Sequence, residues 1–493
     1  MSTLRAPIPM VEAALLDRQT LLAEDAESGG PARVAIVQPF LLDSRLDGTS
    51  VDLEDGSRLW TVRVRAPGAF WIRLVIDNWN PPSGAELIAY NPLRPDVVKG
   101  PFLREPSPTG TFWSPILFAS EMVLEYRIPP DSDPDSEVAA VRMSRLVCGY
   151  RGFNAEEPRG TDSSYSGDEI EPRGTEPAPC DLDANCDTVA EDYRMVATWM
   201  SCDGPECHQC TGSLVEQDGG FNSGLVFLTA THCGATDANI DNFIAIFGFH
   251  RTTCPDGELP DLSSLPQVRA ATVIVSDVSR DVTLIGLRSD SVPEGTRLPV
   301  STNDWPTPFF TDSPGFCYFH PLGSHMRYAN LVKSGNLDRS EVRIVSGVCL
   351  SSNNYLIVCI EDGRLEPGAD GAPIFHAFES DNTSRVKAIV SCIAQDPVCA
   401  FTQPNSGGRL DQVEPLLRPY LTFLDPLYVD SAHSGYELGT QAEPLRFMAN
   451  APFAAFEGGS IRIAPGHYDE SVLIDRPLTL LRNGSSGSVV IGQ

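Results

Sequence analysis

From Arg33 to Met143 hydrophobic and polar residues alternate with a period of about two, the spacing of a strand buried on one face. Leu59-Trp60-Thr61-Val62-Arg63-Val64, Phe70-Trp71-Ile72-Arg73-Leu74-Val75-Ile76, Glu86-Leu87-Ile88-Ala89-Tyr90 and Met122-Val123-Leu124-Glu125-Tyr126-Arg127-Ile128 carry the pattern, and turn formers such as Pro81-Pro82-Ser83-Gly84 separate them. Short aromatic and β-branched strands broken this way predict an antiparallel β-sandwich over residues 33–150, a separate domain. Before it, Val11 to Ala26 has apolar residues at helical spacing and predicts a short amphipathic helix in a leader of residues 1–32.

The pattern then stops. Glu-Pro-Arg-Gly-Thr occurs at 157–161 and again at 171–175 within acidic, Ser-rich filler. Such a stretch cannot bury enough apolar surface to offset its ordering entropy, so residues 151–179 are expected to be a flexible linker open to proteolysis. Near the C-terminus Gly458-Gly459-Ser460-Ile461-Arg462-Ile463, Ser471-Val472-Leu473-Ile474, Pro477-Leu478-Thr479-Leu480 and Val489-Val490-Ile491-Gly492 predict short strands with tight turns. They fit the opening rungs of a right-handed parallel β-helix over 440–493, of the pectin-lyase-like kind, and they also fit a plain β extension of the preceding domain.

Composition narrows the function. The 493 residues are 42% hydrophobic, enough for roughly three cored domains. A formal charge of −30 repels phosphate backbones, so nucleic acid is not an expected partner. No run of about 18 apolar residues occurs, so no membrane span is expected. Twelve of the 13 cysteines lie between Cys180 and Cys399, with Cys148 outside. That even set predicts a disulfide-stapled domain made in an oxidising compartment, with at most one free thiol, Cys148, and an extracellular location. The first 30 residues hold Asp17, Arg18, Glu24, Asp25 and Glu27 and show no uninterrupted apolar core of a secretory signal.

Three motifs carry chemistry. Thr229-Ala230-Thr231-His232-Cys233 offers a histidine beside a cysteine. Arg280-Asp281-Val282-Thr283-Leu284-Ile285 is an acid opening an apolar strand. Gly368-Ala369-Asp370-Gly371-Ala372-Pro373 is a tight glycine loop. The order of base, orienting acid and nucleophile loop is that of a serine-peptidase triad, and His232, Asp281 and position 370 are expected to meet in one cleft. Position 370 holds Asp where the frame calls for Ser. Cys202-Asp203-Gly204-Pro205-Glu206-Cys207-His208-Gln209-Cys210 resembles a zinc cluster, but a disulfide-rich loop accounts for it better, and neither metal nor cofactor is expected.

Together these motifs make the stretch from Cys180 to about Leu424 resemble the bacterial lysyl endopeptidases, a branch of the trypsin-like serine peptidases. Further marks are Pro179-Cys180-Asp181-Leu182-Asp183-Ala184-Asn185-Cys186, Cys210-Thr211-Gly212-Ser213-Leu214-Val215, Thr253-Cys254, His320-Pro321 and Glu366-Pro367-Gly368. The resemblance implies an all-β chain: an N-terminal β-sandwich like the region preceding the peptidase in secreted relatives, then a chymotrypsin-like double β-barrel over 180–430. It further implies bridges Cys210–Cys233, Cys186–Cys254 and Cys180–Cys399, and an oxyanion hole at the N–H groups of Gly368 and Asp370. The acid that gives such enzymes their lysine preference aligns near Asn405, a neutral amide.

Asp370 decides the reading. Acyl transfer needs a hydroxyl or thiol whose proton His232 can take, and a carboxylate is a poor nucleophile toward amides that also sets negative charge beside the oxyanion. The expectation is an inactive peptidase homologue that binds peptide or protein between the barrels. An active serine endopeptidase and an extracellular adhesion protein that binds a polymer are the alternatives.

Overall fold

The structure, a computed structural model, describes residues 7–27, 31–102, 110–132, 139–153, 182–186, 192–215, 225–254, 257–288, 314–333, 344–347, 355–378, 383–394, 405–422, 424–435 and 437–492. Nearly all of the expected linker, from residue 154 on, lies outside them.

The strand Trp71–Ile76 is buried along its whole length. Ile72, Leu74 and Ile76 face one core together with Trp60, Leu124 and Tyr126. Trp71 and Val75 face a second, with Trp113, Met200 and Phe249. The first core fills a two-layer sandwich. One layer pairs Met10–Glu12, Arg58–Arg65, Glu121–Ile128, Glu86–Asn91 and Arg94–Lys99 in that order, with Thr49–Asp52 added beside Arg58–Arg65. The other layer runs Ala32–Asp43, Arg142–Gly149, Trp71–Ile76 and Phe112–Trp113. The N-terminal helix covers Arg18–Glu27; Val11, at the start of the helical pattern, instead lies in a strand parallel to Arg58–Arg65.

The second layer does not stop at the sandwich. Ala32–Asp43 pairs antiparallel with Glu206–Val215, matching Ile36 to Glu206 and Ala32 to Gln209. Glu206–Val215 belongs to a closed antiparallel ring with Val196–Asp203, Ile244–Phe247, Gln267–Asp277, Val282–Leu287 and Leu225–Thr229. This first barrel is packed by Trp199 stacked on Phe243 at 4.8 Å, with Phe227 edge-on to Phe243 and Phe247. The helix Leu410–Leu421 packs Val413, Leu417 and Leu421 against the same core.

A second closed ring joins Arg327–Lys333, Pro314–Phe319, Pro373–Phe378, Thr383–Ala394, Asn405–Arg409 and Tyr355–Asp362. Phe319, Leu331, Ile374 and Val390 fill it. The C-terminal strands Leu427–Val429, Ser460–Ile463 and Thr479–Arg482 pair in parallel, and Gly466–Tyr468 pairs in parallel with Val489–Ile491. Stacked parallel pairing is the arrangement of β-helix rungs. Ser471–Ile474 forms no strand: the segment links the rungs, and Val472 packs on the core from there. The chain is all-β in class. Among the described residues no helix is long and apolar enough to cross a membrane.

Disulfides join Cys186 to Cys254, Cys202 to Cys207 and Cys210 to Cys233. Cys180 and Cys399 lie outside the described residues. Cys202 and Cys207 are directly opposed across a hairpin turning at Asp203-Gly204-Pro205-Glu206, so the zinc-like run is a stapled β-turn. The even set of twelve does not all pair. Cys317 is free and fully buried in the second barrel, where it acts as a small hydrophobe, and Cys148 is free in the sandwich core. Burial pushes both thiols up, Cys148 to about 12. Neither thiol should therefore react with iodoacetamide in the folded protein, while both should react in denaturant without reductant; mass-spectrometric detection of native labelling at Cys317 would contradict this packing.

Candidate active site

His232 sits on the single turn Thr231–Cys233 that follows strand Leu225–Thr229 of the first barrel. Two features fix the turn. The Cys210–Cys233 bridge ties it to Glu206–Val215, closing a loop with a sequence separation of 23. Constraint of such a loop in the unfolded chain contributes roughly 3 kcal/mol. The Thr231 hydroxyl also meets the Thr283 hydroxyl at 2.9 Å, binding the turn to strand Val282–Leu287.

Asp281 occupies the turn that opens that same strand, with φ at 58°, a left-handed conformation uncommon for a residue with a side chain. Its geometry turns the carboxylate onto His232. Oδ1 accepts the His232 backbone N–H at 2.8 Å and Oδ2 faces ring Nδ1 at 2.6 Å. The Ser391 hydroxyl, on strand Thr383–Ala394 of the second barrel, also donates to Oδ2. Ser391 was not foreseen: a small polar residue on a strand carries no motif, and only pairing of the two barrels brings it here.

Asp370 arrives from the second barrel on the loop before Pro373–Phe378. The loop presses on the first barrel: Thr211 N–H donates to the Asp370 carbonyl at 2.9 Å, and the Thr211 hydroxyl donates to the Gly368 carbonyl at 2.7 Å. Gly371 makes this approach possible. Its φ is +81°, and a Cβ there would lie 2.4 Å from the Thr211 carbonyl oxygen. Asp370 Oδ1 then stands 3.3 Å from His232 Nε2, with no exposed side-chain surface.

The ring thus has a carboxylate at each nitrogen. Carboxylates only accept, so the arrangement favours the imidazolium, hydrogen-bonded from Nδ1 to Asp281 and in charge contact at Nε2 with Asp370. Burial pulls the His232 pKa down, but Asp281 and Asp370 outweigh it and raise the value to about 10. His320, stacked on Phe249 with its Nδ1 against the Ser324 carbonyl at 3.0 Å, is held neutral by burial, at about 3.

His232, Asp281 and Asp370 are brought together, as their order in the chain implied. Gly368 lies in the same loop, with φ at +99°. Asn405 begins the strand Asn405–Arg409, opposite Val358; its side chain lies outside what the structure describes. Among the described residues no group of three or more His, Cys, Asp or Glu side chains could hold a metal ion.

His232, Asp281 and Asp370 meet at the seam of two antiparallel barrels. Residues 175–391, which include all three and Ser391, match the family described as lysyl endopeptidase, C-terminal domain, so this stretch is lysyl endopeptidase-related. No curated protein matches the chain.

The raised pKa fixes a pH dependence. A histidine protonated more tightly when folded than when unfolded stabilises fully below its ordinary value of 6.5, and that contribution is lost as pH rises through about 10. His232→Gln leaves two buried carboxylates facing one another and should cost roughly 3 kcal/mol near neutral pH. Urea unfolding should show this deficit shrinking steadily towards about pH 10; a constant deficit would refute the charged ring.

Proposed function

We propose that this chain is a secreted, trypsin-like peptidase homologue that has lost peptidase catalysis and binds peptide or protein between its barrels. In this reading His232 keeps the position of the general base and Asp281 orients it. Asp370 occupies the place of the nucleophile, and the N–H groups of Gly368 and Asp370 would line the oxyanion hole. One observation carries the reading: a buried carboxylate, not a hydroxyl, stands against His232 Nε2.

The chemistry follows from that contact. His232 has no alcohol proton to take, and a ring held as imidazolium by two anions is already protonated and cannot act as a base. Loss of the nucleophile costs on the order of a millionfold in turnover where a serine triad is disabled. Ala369 and Ala372, the loop neighbours, offer no substitute hydroxyl. Asn405 at the specificity position would pair weakly with a lysine side chain, so the bound peptide need not carry one. The disulfides and the lysyl endopeptidase-related stretch support extracellular operation.

The unaltered protein should not react with a fluorophosphonate probe, whereas Asp370→Ser should gain labelling at residue 370 and slow peptidase activity. The substitution restores a hydroxyl to a base and an orienting acid already in place. Probe incorporation into the unaltered chain would reinstate the active endopeptidase, and a folded Asp370→Ser that stays wholly unreactive would show that the oxyanion hole is lost too.

A further inference from the structure

We propose that residues 31–153 are a permanent part of this molecule that braces the Asp370 loop from behind, so that cutting the chain between residues 154 and 181 leaves a two-chain protein.

Three kinds of contact bind the N-terminal unit to the first barrel. Ala32–Ile36 adds a strand to Glu206–Gln209. Trp71, Val75 and Trp113 share an apolar core with Met200, Ile246 and Phe249. Buried polar groups close across the same boundary: Arg73, anchored within its unit by Nε donating to the Ser114 carbonyl at 2.8 Å, donates from Nη1 across to the Asn242 carbonyl at 2.7 Å. Gln267 grips the Ile116 backbone from the barrel side, accepting its N–H at 2.6 Å and donating to its carbonyl at 3.0 Å. Separation would expose a large apolar face and strip a buried guanidinium of a partner, both unfavourable in water.

A continuous set of hydrogen bonds runs from this unit to the site. Phe153 N–H donates to the Gly323 carbonyl at 2.9 Å, where Gly152 and Gly323 touch so closely that a Cβ on Gly323 would lie 2.7 Å from Gly152 Cα. Gly323 N–H donates to Gln209 Oε1 at 2.9 Å, and Gln209 Nε2 donates to the His320 carbonyl at 3.0 Å. Leu322 N–H donates to the Pro367 carbonyl at 2.8 Å, at the root of the Asp370 loop. Gln209 is fully buried and joins the N-terminal unit, the 320–323 turn and the barrel strand, which makes it a positioning residue for that loop.

The test uses the full chain with a site-specific protease sequence replacing residues 161–167. After cutting, light scattering on a sizing column should find one particle of the uncut mass, with both pieces present equally and separating only in denaturant. In the uncut chain Gln209→Met should shift the ring 15N–1H resonances of His232 while circular dichroism stays native. Gln267→Ala, on the same boundary but away from Gly323, should leave those resonances in place. Should Gln209→Met fail to fold, Gln209→Glu, which keeps the acceptor for Gly323 and loses the donor to His320, carries the same expectation. Release of the N-terminal piece under native conditions would overturn the proposal. So would a folded Gln209 variant with unmoved His232 signals, or an equal shift in Gln267→Ala.

Discussion

A single imidazole held between two buried carboxylates is the interaction on which the candidate site depends. Asp281 and His232 come from the first barrel, Asp370 and Ser391 from the second, so the cluster is also a charged weld across the seam. Low dielectric makes each contact strong and makes the loss of any partner costly. That is why the supporting geometry is tight: a left-handed Asp281, a glycine at 371 that lets the loop touch the first barrel, and a disulfide behind His232. The loop at 368–373 seats a buried anion against the ring.

The site was legible because its parts are local. A histidine on a short turn beside a cysteine, an acid at a strand start and a glycine loop can each be recognised over a few residues, and their order in the chain suggests that they meet. What could not be read was long-range. Trp71–Ile76 reads as one strand of a separate sandwich domain; in the structure its Arg73 is buried against the first barrel. The near-continuous apolar run Trp-Ile-Arg-Leu-Val-Ile was the available signal, since strands covered on both faces lose their alternation. Ser391 carries no motif at all, and the runs that include Gln209 and Thr211 give no sign of their contacts with the Asp370 loop. Counting cysteines failed at Cys317 because an even total says nothing about which thiols the fold brings within reach.

The same continuity changes how the chain is organised. The sandwich layer and the first barrel share one sheet through Ala32–Asp43 and Glu206–Val215, and the turn at His320 stands between that joint and the Asp370 loop. The C-terminal rungs stack on one another by parallel pairing, with Ile461, Ile463 and Tyr468 buried in the core that reaches the first barrel. Among the described residues, the sandwich layer and the first barrel are therefore built on shared strands.

The most direct test of the locked ring is a 15N-edited nuclear magnetic resonance spectrum of His232 at about pH 8, above the ordinary histidine range. The account predicts both ring nitrogens protonated, with Nε2–H slow to exchange against Asp370. A neutral ring carrying one proton at that pH would contradict it.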